Sequence, residues 1–178
     1  MADNLATELA SDLDESFPQL VARLQNGVFS GLRQLAGDHH RAEDLTQETF
    51  IRAYLALQSY PAERIRDMRL RGWIWTIALN LFRNDVRASA RRPVPVRLED
   101  VGYTQSEPPD SRAWRRRWAL LPPAQRRAVI LRHVAGLSYR EISEATDRPA
   151  STVRSDVRRG LARLRSAIEE ETNKEVGG

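Results

Sequence analysis

The chain has 178 residues, 28 basic against 24 acidic side chains, a formal net charge of +4 and no cysteine. That length suits one ordinary domain or two small ones. The missing cysteines exclude disulfide frameworks, thiolate zinc sites and cysteine nucleophiles together, and fit a reducing, cytoplasmic address. The N-terminal segment is acidic where a signal peptide is basic, and no run approaches the roughly 18 apolar residues of a membrane span, so neither is expected. The charge is segregated: residues 1–60 carry a net −5, 61–97 a net +6, 98–111 a net −4, 112–165 a net +10 and the tail −3. Two basic blocks flanking an acidic spacer point to two surfaces for a polyanion, because a solvated helix face mixes its signs.

Helical periodicity dominates and no stretch alternates apolar with polar residues for long, which predicts an all-α fold. Phe17, Leu20, Val21, Leu24, Val28, Leu32 and Leu35 recur at helical spacing, and Gly37 with Asp38 supplies a stop. After His39 and His40, a second helix over 41–58 carries Leu45, Phe50, Ala53, Tyr54 and Leu57 as its apolar stripe, and Pro61 closes it. A loop over 59–69 leads to a third helix with Leu70, Trp73, Ile74, Ile77, Leu81, Phe82 and Val86 inward. Its other face carries Asn80, Arg83, Asn84 and Arg87 in one polar stripe.

Residues 92–110 hold four prolines and a run of acids with no helical period, an extended linker that divides the chain in two. Beyond it, Trp114 and Trp118 sit on a short helix; Pro122 and Pro123 open the next, lined by Val129, Ile130 and Val134 and ended near Gly136. Ser138-Tyr139-Arg140-Glu141 is a capping-box pattern that starts a helix running to about Thr146, with Ile142 and Ala145 inside. Asp147 to Ala150 interrupts it, Ser151 is the N-cap of a last helix, and Val153, Val157, Leu161, Leu164 and Ile168 form that helix's inner face. Two helices joined by a short turn make a helix-turn-helix. Thr152, Arg154, Ser155, Arg158 and Arg159 are left outward, where arginine grips phosphate or pairs with guanine and the hydroxyls bond either.

Three blocks, AEDLTQETFIRAYLAL (42–57), RGWIWTIALNLFRNDVR (71–87) and LLPPAQRRAVILRHVAGLSYREISEATDRPASTVRSDVRRGLARLR (120–165), resemble in order and spacing the extracytoplasmic-function sigma factors of the sigma-70 superfamily. The resemblance implies two small helical domains. A disordered acidic arm (1–13) precedes a region 2-like bundle (14–91); the acidic linker (92–111) joins this to a region 4-like helix-turn-helix (112–170), and a flexible tail (171–178) follows. It further implies an alternative sigma factor that binds core RNA polymerase and promoter DNA, duplex and opened strand. An anti-sigma factor is the implied inhibitor, and no catalytic chemistry, metal or cofactor is expected.

Carried over by position, Asp44, Gln47, Glu48 and Arg52 would meet the polymerase. Tyr60, Arg64, Arg66, Trp75, Asn80, Arg83, Asn84 and Arg87 would handle the opened downstream element, where an extruded base stacks on an aromatic ring in a basic groove. Trp73, on the apolar stripe, is expected in the core. Arg140, Ser151, Thr152, Arg154, Ser155, Arg158 and Arg159 would face the upstream element. Asp156, Gly160 and Asp147 depart from the family pattern: Asp147 can take a left-handed turn, whereas Asp156 either accepts from cytosine or pairs with a neighbour such as Arg159. Two other readings compete. A free-standing helix-turn-helix regulator explains 112–165 but not the first basic block, and a helical protein binding an acidic partner would show weak salt dependence. No metal-ligand pattern, phosphate-cradling loop or serine elbow is present, and His39 and His40 read as surface residues.

Overall fold

The computed structural model describes residues 3–91 and 110–176, and all of their regular structure is helical: α1 (Asp3–Ser11), α2 (Leu13–Ala36), α3 (His39–Gln58), α4 (Ala62–Arg66), α5 (Leu70–Arg91), α6 (Asp110–Ala119), α7 (Pro123–His133), α8 (Tyr139–Thr146) and α9 (Ala150–Val176). Local chemistry sets most of the boundaries. Asp12 caps α2 by accepting from the Glu15 amide, Gly37 ends it in the left-handed region at φ 73°, and Asp38 caps α3 by accepting from the Arg41 amide at 2.7 Å. Pro123 opens α7 without losing a hydrogen bond. The capping box at α8 is closed in both directions: the Glu141 amide donates to Ser138 Oγ at 3.2 Å, and the Ser138 amide donates to Glu141 Oε2 at 2.7 Å. Asp147 ends α8 in the left-handed region at φ 53°.

In the N-terminal half α2, α3 and α5 pack together around Leu20, Leu32, Leu57, Ile74 and Leu79, all buried. Gly31 lets α2 approach α5 closely, since a Cβ there would lie 2.5 Å from the Trp75 ring. In the C-terminal half α7 and α9 pack tightly and α8 crosses both, burying Val129, Ile130, Ile142, Val153 and Val157. Gly160 plays the same part here: a Cβ would meet Val129 Cγ2 at 2.6 Å, which explains glycine where the family pattern has alanine.

The halves are docked on each other, α8 against α5 and α7 against α2. Arg71 donates to Glu141 at 3.0 Å and to the Gly136 carbonyl, and Arg69 pairs with Glu144 at 2.8 Å. Every one of these bonds joins one half to the other.

Several expectations differ from what is seen. Residues 3–11 of the expected disordered arm form α1, whose Leu5, Ala6 and Leu9 are buried against α4 and α2. The 59–69 loop contains α4, a single short helix that buries Ile65. The last helix begins at Ala150, so Ser151 lies in its first turn rather than at its cap. It also continues to Val176, into the expected tail. Val86 and Leu161, expected inside, are exposed, Leu161 although Leu164 one turn further along α9 is buried. The linker expectation, 92–111, lies outside the described residues over 92–109, and its last two residues, Asp110 and Ser111, open α6 instead of extending the chain.

Candidate nucleic-acid interface

The polar stripe of α3 is in place. Asp44, Gln47 and Arg52 are exposed, Glu48 is half-buried, and Glu48 accepts from Arg52 at 2.5 Å one turn away. Sequence reasoning missed its apolar continuation. Ile51 and Leu55 are 54% and 58% exposed, and with Asp44 and Glu48 they form a 44–48–51–55 line along one helix face. The charged stripe thus ends in two unpartnered aliphatic side chains, the composition of an interface anchor with a polar rim. The period alone hinted at this, since neither residue fits the inward stripe of α3.

Downstream of α3, Tyr60 and Trp73 face each other with ring centroids 6.1 Å apart. They frame a cavity of about 270 Å³ lined also by Arg52, Ala56, Ile77, Asn80, Leu81 and Asn84. The Arg64 guanidinium lies 3.6 Å over the Tyr60 ring, a cation–π contact that holds the ring in orientation. Asn80 accepts from Arg83 at 3.0 Å, while Asn84 and Arg87 are exposed on the same stripe, so amides and guanidinium groups rim an aromatic floor. Arg66 turns away to Glu63, an exposed pair at 3.6 Å.

The two tryptophans exchange roles. Trp75, proposed as a stacking platform, is 1% exposed beneath Gly31 and is core; Trp73, expected in the core, is half-buried and walls the cavity. They sit two positions apart and so point to nearly opposite sides of α5. Only the contact with α2 decides which side is covered.

On α9, Ser151, Arg154 and Arg158 are exposed in one stripe, with Thr152 and Ser155 half-buried beside them and Arg159 exposed on the flank. Arg154 and Arg132 each lie over Tyr139, at 5.3 and 5.1 Å from its centroid, so the ring at the head of α8 steadies the first turns of α9. Arg140 is exposed but donates to Glu144 at 3.2 Å, which draws it toward the contact between the halves.

Asp156 does not face outward. It is 4% exposed, accepts from Arg159 at 2.9 Å and meets Arg148 of the α8–α9 turn as an ion pair at 2.6 Å. Of the two alternatives open from sequence, pairing with Arg159 is the one realised. Burial alone would raise the Asp156 pKa, but the bonds from Arg159 and Arg148 outweigh it and hold the group below its ordinary value. Glu141 is depressed the same way: burial opposes, and Arg71 with Ser138 prevails.

A further positive field spans the two halves. Burial, and then the fields of Arg83, Arg148 and Arg126, push the Arg127 guanidinium of α7 below its usual pKa, so Arg83 of the N-terminal stripe and the arginines of α7 feel one another. His39, His40 and His133 are all exposed; the first two lie beside Glu43 at 3.1 and 3.4 Å. Among the described residues no helix is long and apolar enough to cross a membrane.

Comparison with known proteins joins the two halves. The family described as "Sigma-70 region 2" matches residues 20–92 and "Sigma-70, region 4" matches 111–164. The chain is 36% identical over 163 residues to "ECF RNA polymerase sigma factor SigE" of Mycolicibacterium smegmatis, covering 86% of this chain and 62% of that protein. It is 31% identical over 172 residues to "ECF RNA polymerase sigma-E factor" of Haemophilus influenzae, covering 87% of this chain and 88% of the relative. In fold it resembles the sigma factor RpoE of Bartonella quintana, solved in complex with the anti-sigma factor NepR, with a TM-score of 0.70 at 23% identity over 87% of this chain and 98% of that one. It likewise resembles CnrH in complex with the cytosolic domain of CnrY, with a TM-score of 0.72 at 21% identity, covering 96% of this chain and 99% of that one. With a region 2 bundle and a region 4 helix-turn-helix matched in order, the chain belongs to the extracytoplasmic-function sigma factors of the sigma-70 family and is an alternative sigma factor rather than a free-standing regulator.

Proposed function

We propose that the chain brings core RNA polymerase to promoters through three separate surfaces. The α3 line of Asp44, Gln47, Glu48, Ile51 and Leu55 docks on the polymerase: the two aliphatic residues supply the buried anchor and the charged ones orientation. The Tyr60–Trp73 cavity receives one extruded base of the opened downstream element, stacked on the aromatic rings. The amides of Asn80 and Asn84 face its edge, and Arg64, Arg83 and Arg87 follow the strand. Arg154, Ser155 and Arg158 of α9 enter the major groove of the upstream element, with Ser151, Thr152 and Arg159 on its backbone.

The cavity carries this reading. A pocket for one planar ring, walled by two aromatics beside a stripe of amides and arginines, suits a flipped base and has no use in a protein that binds only duplex. In this account the protein performs no bond chemistry, needs no cofactor, and works in the cytoplasm under an anti-sigma factor. The test is transcription in vitro with core polymerase on a promoter library. Tyr60→Ala and Trp73→Ala should abolish discrimination in the downstream element while leaving polymerase binding intact. Unaltered discrimination in both variants would overturn the reading.

A further inference from the structure

We infer that α1, which lies upstream of the residues matched by the region 2 family, is a working part of the strand-capturing site: Leu5 and Leu9 are positioning residues that hold α4, and through it Arg64 and Tyr60, in capture geometry. This rests on the strand-capture reading of the Tyr60–Trp73 cavity.

Five residues cannot sustain a helix in water, because nucleation costs more than one turn of hydrogen bonds returns. α4 has only those five, and its N-cap, Pro61, makes no side-chain capping bond. Its place must come from burying Ile65, its one buried residue. Among the described residues α1 is the one helix in extensive contact with α4. The contact is apolar on the α1 side, where Leu5, Ala6 and Leu9 fall on one face and all are buried. Leu5 also lines a second cavity with Met68 and Leu70, at the far end of the same segment, so α1 underlies it from α4 to the start of α5.

The segment it supports is the one between the two aromatic walls. Arg64 projects from α4 onto the Tyr60 ring at 3.6 Å. If α4 comes loose, Tyr60 loses its cation–π partner and the wall opposite Trp73 has nothing to hold it. Among the described residues neither α3 nor α9 packs extensively on α1, so the expected defect is in strand capture. This explains why an acidic segment, poorly suited to touch DNA itself, is folded against a DNA-handling loop: it acts from behind.

The experiment uses the full chain carrying Leu5→Ala with Leu9→Ala, the single variant Leu9→Met, and Tyr60→Ala as reference. Binding of fluorescent single-stranded downstream-element DNA to the polymerase complex should fall at least tenfold for the alanine pair and for Tyr60→Ala. Leu9→Met should stay near wild type, and binding of all three to polymerase and to duplex upstream element should be unchanged. Hydrogen exchange supplies the second measurement: in the alanine pair the amides of α1 and α4 should lose protection together, with α3 and α5 unaffected. Wild-type strand capture by the alanine pair alongside defective Tyr60→Ala overturns the role of α1 and leaves the cavity reading standing. Wild-type capture by Tyr60→Ala overturns both. Loss of protection throughout α2, α3 and α5 would show α1 to be general core, and would overturn the proposal equally.

Discussion

The two halves handle the same kind of polymer with different materials. The N-terminal site is a cavity walled by two aromatic rings, two amides, aliphatic side chains and Arg52 of α3, with Arg64 of α4 over one of the rings. The C-terminal site is a stripe of arginine and hydroxyl side chains along one face of α9. A cavity must be held open by its surroundings; a stripe needs only a stiff helix. Accordingly α4 is braced by α1, whereas α9 is secured by a buried carboxylate, Asp156, and a capped neighbour, α8. The contrast teaches that shape-reading costs a scaffold, while charge-reading costs only a firm helix whose positive charges are held in place.

The largest expected effect tests a surface that belongs to neither material. Ile51→Asp with Leu55→Asp should weaken polymerase binding by about 4 kcal/mol, roughly a thousandfold, as two anchors of about 2 kcal/mol each are lost. Both side chains are more than half exposed, so the melting temperature should scarcely move. Co-purification with core polymerase measures it, and undiminished recovery would remove these residues from the interface.

Next in size comes the contrast itself. Tyr60→Ala should cost about 1–3 kcal/mol of single-strand affinity with the salt slope unchanged, since stacking releases no counterion. Arg158→Ala should cost about the same at the one base it reads and lower the slope by about one unit if it also meets phosphate. Titrations at several salt concentrations separate the two. Equal slopes for all variants would erase the distinction between the halves.

Packing sharpens the comparison further. Gly31→Ala drives a methyl to 2.5 Å from the buried Trp75 ring, which has no room to retreat, and should destabilise by about 2–3 kcal/mol. Gly160→Ala clashes with the Val129 methyl, makes ordinary contacts with Gln125 and gains about 1 kcal/mol of helix propensity, so its net cost should be about 1 kcal/mol. Chemical denaturation gives both values, and the reverse order would show that the C-terminal half is the more rigidly packed.

The smallest effect is one of pH. Asp156 and Glu141 have folded pKa values below their unfolded ones, so each contributes stability that is complete above the unfolded value and disappears as pH falls through the depressed folded value. The window therefore lies below about pH 4. Asp156→Asn should be less stable than wild type at neutral pH, with the gap closing under acid; a gap that persists at pH 2 would mean the pair contributes packing rather than charge.

Much of this was legible in the residues themselves. The stop at Gly37, the cap at Ser138, the turn at Asp147 and the α9 stripe follow from chemistry within four positions, which a sequence displays directly, although Asp38, read as part of that stop, is the cap of α3. What failed depended on distant partners. Trp73 and Trp75 look alike until α2 brings Gly31 over one of them. The arm at 3–11 is acidic and only about two and a half turns long, so it is the α4 and α2 surfaces waiting for Leu5 and Leu9 that make it a helix. Asp156 looks outward on a helical wheel until the turn folds Arg148 back over it. The docking of α8 on α5 through Arg71 and Arg69 has no local signature whatever.

Glu141 holds two posts at once, closing the start of α8 and accepting from Arg71 across the halves. Only the second depends on the other half. When the halves part, Ser138 still satisfies the carboxylate and the α8 amides, so the helix-turn-helix loses a neighbour without losing a fold. Separation then breaks the part-buried Arg71–Glu141 pair, the exposed Arg69–Glu144 pair and the apolar contact between the halves. Raising the ionic strength should therefore weaken the hold of one half on the other, through Arg69 and Arg71, without touching the cap of α8.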